Sequence, residues 1–510
     1  MGSESESYYD GSRMFSWITE LSGIPIDLIN FTVTQVVAVV LAPLFRHILH
    51  PSRTKPEVRH AFGLVVGVVM GYFAFGRQAV HLAGLPALCY LIIRTQDPQT
   101  MQRLVLVVSM FYLSCIHIHR QIYDYGSLSL DVTGPLMVIV QKVTSLACSL
   151  NDGLTYKEDD LSANQRYYAV SKIPSVLEYF AYIFHFHVLM AGPVVFYKDY
   201  IEFVNGHNIL KHSSGIDNHI DSNLRSSRLM LEPSPKLVVI KKIAASVLCA
   251  FIFVSFITSF PISKIKDDDF IEKRTIFNQL CYLSIATLLV RFKYYHAWLL
   301  ADAICNLSGL GFQGYAPDGS ARWDLVSNVD VIQFEFGSSL RESIEHWNKG
   351  TNVWLRMLVY DRYKQYRTVL TYALSSFWHG FYPGYYLTFA GGALFTFASR
   401  SVRHSIIRGC FQGTPALRGL YNFLSMVTTR IIVTYITFSF VVLEFWPSIR
   451  IYTNMYFCFH ILGVGAIVVL PYFRSEAPKH PAPPSPRQPV PIKNQLSKVA
   501  SNGVSVGIQG

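Results

Sequence analysis

Residues 368–399 read TVLTYALSSFWHGFYPGYYLTFAGGALFTFAS, a run of 32 positions without Asp, Glu, Lys or Arg. A helix that crosses the hydrocarbon core of a bilayer needs about 20 such residues. The run is too long for one span, and Pro383-Gly384 near its middle predicts a break, because proline lacks a backbone donor and glycine loosens the backbone. This stretch therefore predicts two adjacent membrane helices, with His379 just before the break.

The rest of the chain repeats this apolar pattern. Of its 510 residues, 51% are hydrophobic and only 15% are charged, whereas an average soluble protein carries roughly 25% charge. The sequence predicts an all-α polytopic membrane protein, a helical bundle of about ten or eleven membrane segments. Several segments are short or interrupted, which is typical of helices surrounded by protein or a cavity. The apolar stretches lie near 26–48, 61–76, 78–93, 104–119, 132–149, 176–197, 237–263, 275–301, 368–399, 420–446 and 451–473.

Composition divides the chain into three parts. Residues 1–20 form a polar N-terminal leader, 21–473 the membrane-embedded domain, and 474–510 a tail that contains APKHPAPPSPRQPVP. Such a Pro-rich composition cannot bury a core and predicts disorder. We find no internal repeat, so the inverted-repeat signature of many transporters is missing.

Several function classes are excluded by residue pattern. The formal charge of +11 is scattered through loops, which argues against a nucleic-acid binder. The pairs His117/His119 and His185/His187 resemble metal ligands, but positions i and i+2 of a helix point to nearly opposite sides. The chain contains no HExxH zinc motif and no GxSxG nucleophile elbow. We therefore predict no metal site and no serine nucleophile.

Residues 338–365 combine aromatic and cationic side chains, which predicts an amphipathic helix at the membrane surface. Ser339 and Glu342 have the spacing of a capping box. One interpretation makes this helix an interfacial anchor. The other assigns its cations to the phosphates of a ligand, although attraction to anionic lipid explains them equally well. The candidate phosphate ligands are Arg356, Arg362 and Lys364.

His379 is the strongest candidate for chemistry because an intramembrane histidine is a functional candidate by default. Apolar surroundings favour the neutral imidazole, which is the form that a general base needs. The alternative is a core histidine that donates a hydrogen bond to a backbone carbonyl. The residues alone leave both interpretations open.

The segment around His379 resembles the membrane-bound O-acyltransferase (MBOAT) family, whose pattern W-H-G-x-x-x-G-Y-x-x-x-F it matches. Two further family blocks fall in the same order, and the segment HWNKGTNVWL supplies the family's second polar residue, Asn348, 31 positions before His379. The resemblance covers essentially residues 20–473. The matching positions are Trp378, His379, Gly380, Gly384, Tyr385 and Phe389, with Trp323-Asp324 upstream and Tyr452, Tyr456, Phe457 and His460 downstream.

Within this family, the chain is similar to the oleoyl-preferring branch that acylates lysophosphatidylethanolamine, lysophosphatidylserine and lysophosphatidylcholine. The stretches that carry this similarity are 160–165, 191–200, 294–315 and 323–330. The similarity does not distinguish among these three headgroups of the acceptor. The alternatives are an MBOAT-type protein or sterol O-acyltransferase, and a non-enzymatic lipid transporter that would use the same polar residues for binding.

The resemblance implies transfer of an acyl chain from acyl-CoA to the free hydroxyl of a lysophospholipid inside a tunnel through the bundle. His379 would be the base, and Asn348 would donate an orienting hydrogen bond. The remaining predicted cavity residues are Trp378, Tyr385, Trp323, Asp324 and His460. No prosthetic group is required, because acyl-CoA is a co-substrate. Membrane lipids are expected partners, and the resemblance implies residence in the endoplasmic reticulum membrane.

Overall fold

The computed structural model describes residues 8–127, 129–212, 227–405 and 414–473. Within these ranges the chain forms helices and no β-strand, and its β pairing is limited to one antiparallel bridge between Tyr315 and Ala321. The helices of the first half are α1 (Ser16–Ser22), α2 (Ile26–His47), α3 (Pro56–Phe75), α4 (Val80–Thr95), α5 (Pro98–Tyr123), α6 (Thr133–Thr155), α7 (Ala163–Tyr168), α8 (Val176–Phe184), α9 (Tyr197–Asn205) and α10 (His207–Leu210).

The second half begins with α11, after the segment 213–226 that lies outside the described residues. A five-residue π-helix, Arg356–Tyr360, extends α17. The helices are α11 (Lys236–Phe256), α12 (Ser263–Lys266), α13 (Asp268–Glu272), α14 (Ile276–Ser308), α15 (Val331–Phe336), α16 (Leu340–Glu345), α17 (Lys349–Leu355), α18 (Arg367–His379), α19 (Pro383–Arg403), α20 (Pro415–Val442), α21 (Phe445–Asn454) and α22 (Cys458–Val469).

The all-α polytopic architecture is confirmed. Among the described residues, six helical segments are long and apolar enough to cross a membrane, or seven if the pair α21 and α22, bent by 75°, counts as one span. The sequence predicted ten or eleven segments. Part of the difference arises because the stretches 61–76 and 78–93 lie in one 40-residue segment, Pro56–Thr95, that counts once. Another part arises where apolar stretches form short helices: in 176–196, for example, only the nine residues of α8 are helical. Irregular backbone of this kind is tolerated at membrane depth when protein surrounds it.

The predicted break in the 32-residue run is confirmed. Helix α18 ends at His379, and α19 begins at Pro383. Gly380 adopts φ 116° between them, a conformation that residues with a Cβ rarely adopt. The two helices pack against each other as a hairpin.

Helix α6 lies at the centre of the bundle. In its apolar window 83% of the residues are buried, although this window is the least apolar of the six spans. Polar side chains on α6 therefore face other parts of the protein rather than lipid, as expected for polar groups at membrane depth. By contrast, only 17% of the window of α11 is buried, so α11 faces outward.

The core forms two large clusters, and the segment from α15 to α18 contributes to both. The first cluster surrounds α6 and includes Trp354 and Trp378. The second surrounds α14, α20 and α21 and includes Phe334 and Leu340. The segment that carries the candidate catalytic residues thus lies where the two halves of the bundle meet.

The described part of the predicted leader, residues 8–20, contacts the helices that follow it. Tyr9 is buried, and its hydroxyl accepts a hydrogen bond from Nδ2 of Asn30 at 3.0 Å. The backbone N–H of Arg77 donates to the Asp10 carboxylate at 2.7 Å. Tyr9 and Asp10 are therefore attached to the helices that follow them. The predicted tail, 474–510, lies outside the described residues.

The single amphipathic surface helix predicted for 338–365 is wrong. The segment divides into α16, α17 and the π-helix, with a break at 346–348. Trp354, one of the aromatic residues of this segment, is fully buried. Ser339 does cap α16, since its hydroxyl accepts a hydrogen bond from the Glu342 N–H at 3.2 Å. The reciprocal bond of a capping box is shifted by one residue, because the Glu342 carboxylate accepts from the N–H of Ser338 and not from that of Ser339. Burial of aromatic side chains against α6 determines this conformation.

Candidate functional site

His379 and Asn348 line one cavity of about 2830 Å³ inside the bundle. Its walls come from α2, α5, α6, α11, α14 and α17 to α20, and most of the lining is apolar. A cavity of this kind, apolar with a few polar groups, is the usual form of a small-molecule site. The structure therefore contains the internal space that a tunnel between substrates requires.

The tautomer of His379 is determined by one hydrogen bond. Its Nδ1 lies 2.7 Å from the carbonyl oxygen of Ser375. Because a carbonyl only accepts, Nδ1 carries the proton, and a neutral imidazole then has its lone pair on Nε2. The two interpretations that the sequence left open are thus compatible: His379 donates to a backbone carbonyl and still presents a basic nitrogen.

Aromatic rings hold the imidazole of His379 in place. Centroid separations range from 4.6 to 5.9 Å for Trp378, Phe389, Phe440 and Tyr385. These contacts leave the ring little room to turn. Apart from the bond to Ser375, the surroundings are apolar, which favours the neutral form that a base requires.

Two glycines of the motif allow the chain to turn and pack at this point. A Cβ on Gly380 would lie 3.1 Å from Nδ1 of His117. A Cβ on Gly384 would lie 2.0 Å from the carbonyl oxygen of Ser439 in α20, a distance that no real side chain permits. Gly384 also donates its N–H to the Leu443 carbonyl at 2.8 Å. The motif therefore encodes close packing as well as chemistry.

His117 supports the turn that presents His379. Its Nε2 donates to the carbonyl oxygen of Trp378 at 3.0 Å, and the side chain is buried. This role of His117 was not predicted from the sequence. A signal was present, since His117 follows Met110 and Leu113 at helical spacing on the buried face of α5.

Asn348 occupies the N-cap of α17 in the left-handed conformation, with φ 47°. Asparagine adopts this region more readily than most residues. Its Oδ1 accepts a hydrogen bond from Nδ2 of Asn328 at 3.1 Å. Asn328 lies 20 residues upstream in the loop between α14 and α15, within the stretch 323–330 that carries the branch similarity, but the sequence did not predict its contact with Asn348.

Helix α6 supports both candidate catalytic segments. Nε1 of Trp354, at the end of the Asn348 segment, donates to Oγ1 of Thr144 at 2.8 Å. Nε1 of Trp378, beside His379, donates to the carbonyl oxygen of Met137 at 3.1 Å. Thus the two segments are attached to the same buried helix, which fixes one relative to the other.

Of the five residues predicted to accompany this pair, Trp378 and Tyr385 line the cavity. The structure places Trp323, Asp324 and His460 elsewhere. Trp323 is buried beneath the guanidinium of an arginine, Arg46, whose carbon lies 5.8 Å from the ring. Its side chain therefore packs within the bundle and not on the cavity wall.

Asp324 lies at the surface, where it pairs with Arg322 at 2.8 Å. His460 packs against aromatic rings of the second core cluster, and its Nδ1 is 2.8 Å from the Tyr435 hydroxyl. Neither side chain is part of the cavity wall. Matching a family block therefore did not identify cavity residues at these positions, because the blocks also contain residues that pack helices together.

The three predicted phosphate ligands have different surroundings. Arg356 lines the cavity and pairs with Asp361 at 3.2 Å. Arg362 instead forms two bonds with the buried carboxylate of Asp152, at 2.9 and 2.7 Å, and Lys364 is exposed outside the cavity wall. Of the three, only Arg356 is placed to meet a ligand in the cavity.

Several other cations also line the cavity, and three of them, Arg367, Arg400 and Arg403, lie close to one another in the hairpin of α18 and α19 but were not among the predicted phosphate ligands. Arg400 donates to the hydroxyl of Thr368 at 3.2 Å, which brings the end of α19 beside the start of α18. A signal existed: Arg367 and Arg400 flank the uncharged run, so a hairpin broken at its middle must bring them together.

The expectation that the two side chains of a His-x-His pair point to opposite sides is wrong at His185 and His187. These residues follow the end of α8, outside a helix, and their rings stack 4.4 Å apart with the two Nδ1 atoms at 2.7 Å. The described residues nevertheless contain no group of three or more His, Cys, Asp or Glu side chains placed to hold a metal ion.

The fold and the site together define a class: helical membrane proteins with a His–Asn pair on an internal cavity. The sequence profile of the membrane-bound O-acyltransferase family, MBOAT, matches residues 118–438, which include both members of the pair. The chain belongs to this family, and the resemblance read from the motifs is confirmed.

Individual relatives agree with this membership. "Lysophospholipid acyltransferase 6" of Drosophila melanogaster is 52% identical over 466 residues, which cover 91% of this chain and 64% of that protein, so the chain spans less than two thirds of it. "Membrane-bound glycerophospholipid O-acyltransferase 1" of Homo sapiens is 39% identical over 462 residues, covering 90% of this chain and 92% of the relative. The human protein named "Membrane-bound glycerophospholipid O-acyltransferase 2" is 36% identical over 471 residues, covering 92% and 90%.

Proposed function

We propose that this chain is a lysophospholipid acyltransferase that takes its acyl group from acyl-CoA and uses His379 as the base. The family and the printed names of the relatives support acyl transfer to lysophospholipids. The observation that carries the chemistry is the bond from His379 Nδ1 to the Ser375 carbonyl, because it leaves Nε2 as the basic nitrogen on the cavity that Asn348 also lines.

The reaction is written as a single direct transfer. Nε2 of His379 removes the proton of the acceptor hydroxyl while the hydroxyl oxygen attacks the thioester carbonyl carbon. The amide of Asn348 donates to the oxygen that becomes negative, and a fixed donor stabilises such an oxyanion more than water does. The C–S bond then breaks, and the proton passes from His379 to the departing CoA thiolate. The products are an ester and free CoA.

A cluster of four arginines in the cavity wall supports acyl-CoA as the donor. Arg356, Arg367, Arg400 and Arg403 lie at the end of the cavity where α18 begins and α19 ends. Arginines bind phosphate oxygens in bidentate geometry, and CoA is polyanionic. The apolar walls suit the acyl chain. This set replaces Arg362 and Lys364 of the sequence-based proposal.

The chain is a multi-pass membrane protein, and we propose that it resides in the endoplasmic reticulum membrane, as the family resemblance implies. The substrate panel described below identifies the headgroup of the lysophospholipid acceptor. Oleoyl-like chains are the proposed acyl preference, on the similarity at 191–200 and 294–330.

The test uses purified full-length protein in liposomes with labelled oleoyl-CoA. Acceptors are lysophosphatidylethanolamine, lysophosphatidylserine, lysophosphatidylcholine, a peptide and a sterol, with His379→Ala as the control. We expect labelled diacyl phospholipid from at least one lysophospholipid and none from the control. Transfer only to the peptide or sterol would favour those MBOAT-type activities, and movement of lipid without any product would favour the transporter alternative.

A further inference from the structure

The proposed role of Asn348 requires its NH₂ group, and not its oxygen, to face the reacting atoms. An asparagine amide has a donor side and an acceptor side, and rotation about its last bond exchanges them. A catalytic asparagine therefore needs a neighbour that distinguishes the two sides. Asn348 forms no cap bond to its own helix, so the neighbour must lie elsewhere.

Asn328 is placed to make this distinction. Its Oδ1 accepts the backbone N–H of Gly350 at 3.0 Å, and its Nδ2 lies 3.1 Å from Oδ1 of Asn348. Its backbone oxygen also accepts the N–H of Lys349 at 2.8 Å. One side chain thus bridges the loop before α15 and the first turn of α17.

The direction of each bond follows from chemistry. A backbone N–H only donates, so the Asn328 atom facing Gly350 must be the oxygen. The other end of that amide is then NH₂, and it donates to the oxygen of Asn348. With that oxygen occupied, the NH₂ group of Asn348 is left to donate into the cavity. The orientation therefore originates in a backbone group, which cannot turn over.

The loop that carries Asn328 is itself anchored. Asn328 is 5% exposed. The preceding residue, Ser327, donates to the buried carboxylate of Asp302 at 2.6 Å, and Lys242 pairs with the same carboxylate at 2.6 Å. Gly350 permits the close approach, because a Cβ there would lie 3.2 Å from Asn328 Oδ1. The bridge is rigid at both ends.

We propose that Asn328 is a positioning residue that orients the amide of Asn348 toward the reacting atoms. The inference rests on the proposed function, since it assigns Asn348 as a donor. Asn328 acts through Asn348 and requires no contact with substrate. Its loss removes catalytic rate and leaves acyl-CoA binding in place.

The first test is Asn328→Asp, which keeps the size of the side chain and its acceptor toward Gly350. An ionised carboxylate cannot donate to Asn348, and two opposed oxygens repel. Asn348 then turns over and presents its oxygen to the cavity. We expect kcat to fall by about the same factor as in Asn348→Ala, roughly 10²–10³, with KM for oleoyl-CoA changed by less than about threefold.

The second test is the double variant Asn328→Asp/Asn348→Ala. If Asn328 acts only through Asn348, the double variant is no slower than Asn348→Ala alone, because groups that work as a unit are not additive. If Asn328 merely stabilises the fold, the two losses multiply. Multiplied losses, or an Asn328→Asp protein with normal kcat between pH 6 and 9, would overturn the inference.

Controls separate a folding defect from a catalytic one. Asn208→Asp is the matched substitution of a buried asparagine outside the cavity wall, whose Nδ2 donates to the Gly309 carbonyl at 3.4 Å, and we expect its kcat to stay within about twofold. If Asn328→Asp does not give monodisperse protein, Asn328→Ala replaces it in the same comparison of single and double variants. An inactive wild-type protein would refute the proposed function, whereas active wild type, slow Asn348→Ala and normal Asn328→Asp would refute only the positioning role.

Discussion

Nε2 of His117 donates a hydrogen bond to the carbonyl oxygen of Trp378 at 3.0 Å, so a side chain from α5 holds the residue directly before the candidate base. The contact joins elements 261 residues apart in sequence. The carbonyl lies at the end of α18, where backbone oxygens lack helical partners. His117 therefore caps the C-terminal end of α18 beside His379.

We expect His117→Ala to lower kcat by about tenfold with a small change in KM, because the lost bond is worth about 0.5–1.5 kcal/mol and its loss loosens the turn. Steady-state kinetics on protein of verified monodispersity measures this. His119→Ala is the matched control, since His119 lies two positions away on the exposed side of α5. Equal effects of the two variants would refute the role of His117.

Replacing the base should remove catalytic activity without unfolding the protein. We expect His379→Ala to lose about 10²–10⁴ in turnover, the usual contribution of a general base, while its thermal melt, size-exclusion profile and oleoyl-CoA binding stay close to wild type. Because transfer is direct, oleoyl-CoA alone should leave no acyl group on the protein. Near-normal turnover, or a stable acyl-protein adduct detected by mass spectrometry, would contradict the mechanism.

The cations at the cavity end should affect donor binding. We expect Arg367→Gln and Arg400→Gln each to raise KM for oleoyl-CoA by about tenfold, in line with about 1.5–3 kcal/mol for a hydrogen bond to a charged group, and to weaken its dependence on salt. KM for the lysophospholipid should change little. Lys364→Gln, outside the cavity wall, is the control, and an equal rise in its KM would show that the effect is general surface attraction.

Arg362 should matter for stability and not for donor binding. Its guanidinium pairs with Asp152, whose side chain is 3% exposed, and removing one partner of a buried pair costs about 3–5 kcal/mol. We therefore expect Arg362→Ala to lower the melting temperature in detergent markedly, with KM for oleoyl-CoA unchanged in the protein that remains folded. An Arg362→Ala protein of normal stability with a raised KM for oleoyl-CoA would show that Arg362 binds the phosphates after all.

The sequence predicted those features that depend on local composition. The apolar runs predicted the helical membrane fold, and the Pro383-Gly384 break lies where α18 and α19 separate. Motif spacing identified His379 and Asn348, and both line the cavity. Each of these signals is contained in a short stretch of chain.

Features that depend on contacts between distant segments could not be predicted. Asn328 orients Asn348 only because a loop folds back onto α17, and nothing in its neighbours indicates this. The 338–365 segment has the composition of a surface helix, yet burial of Trp354 against Thr144 breaks that pattern. The ring stacking of His185 and His187 likewise depends on the unpredicted end of α8.

The attachment of both catalytic segments to α6 has a mechanical consequence. A bilayer that thickens or thins acts on the lipid-facing helices, which tilt to match it. Helix α11 is largely lipid-facing, whereas α6 is enclosed by protein on nearly all sides. The distance between base and donor is therefore insulated from the elastic state of the membrane, and the enzyme can keep working while its own products remodel the bilayer around it.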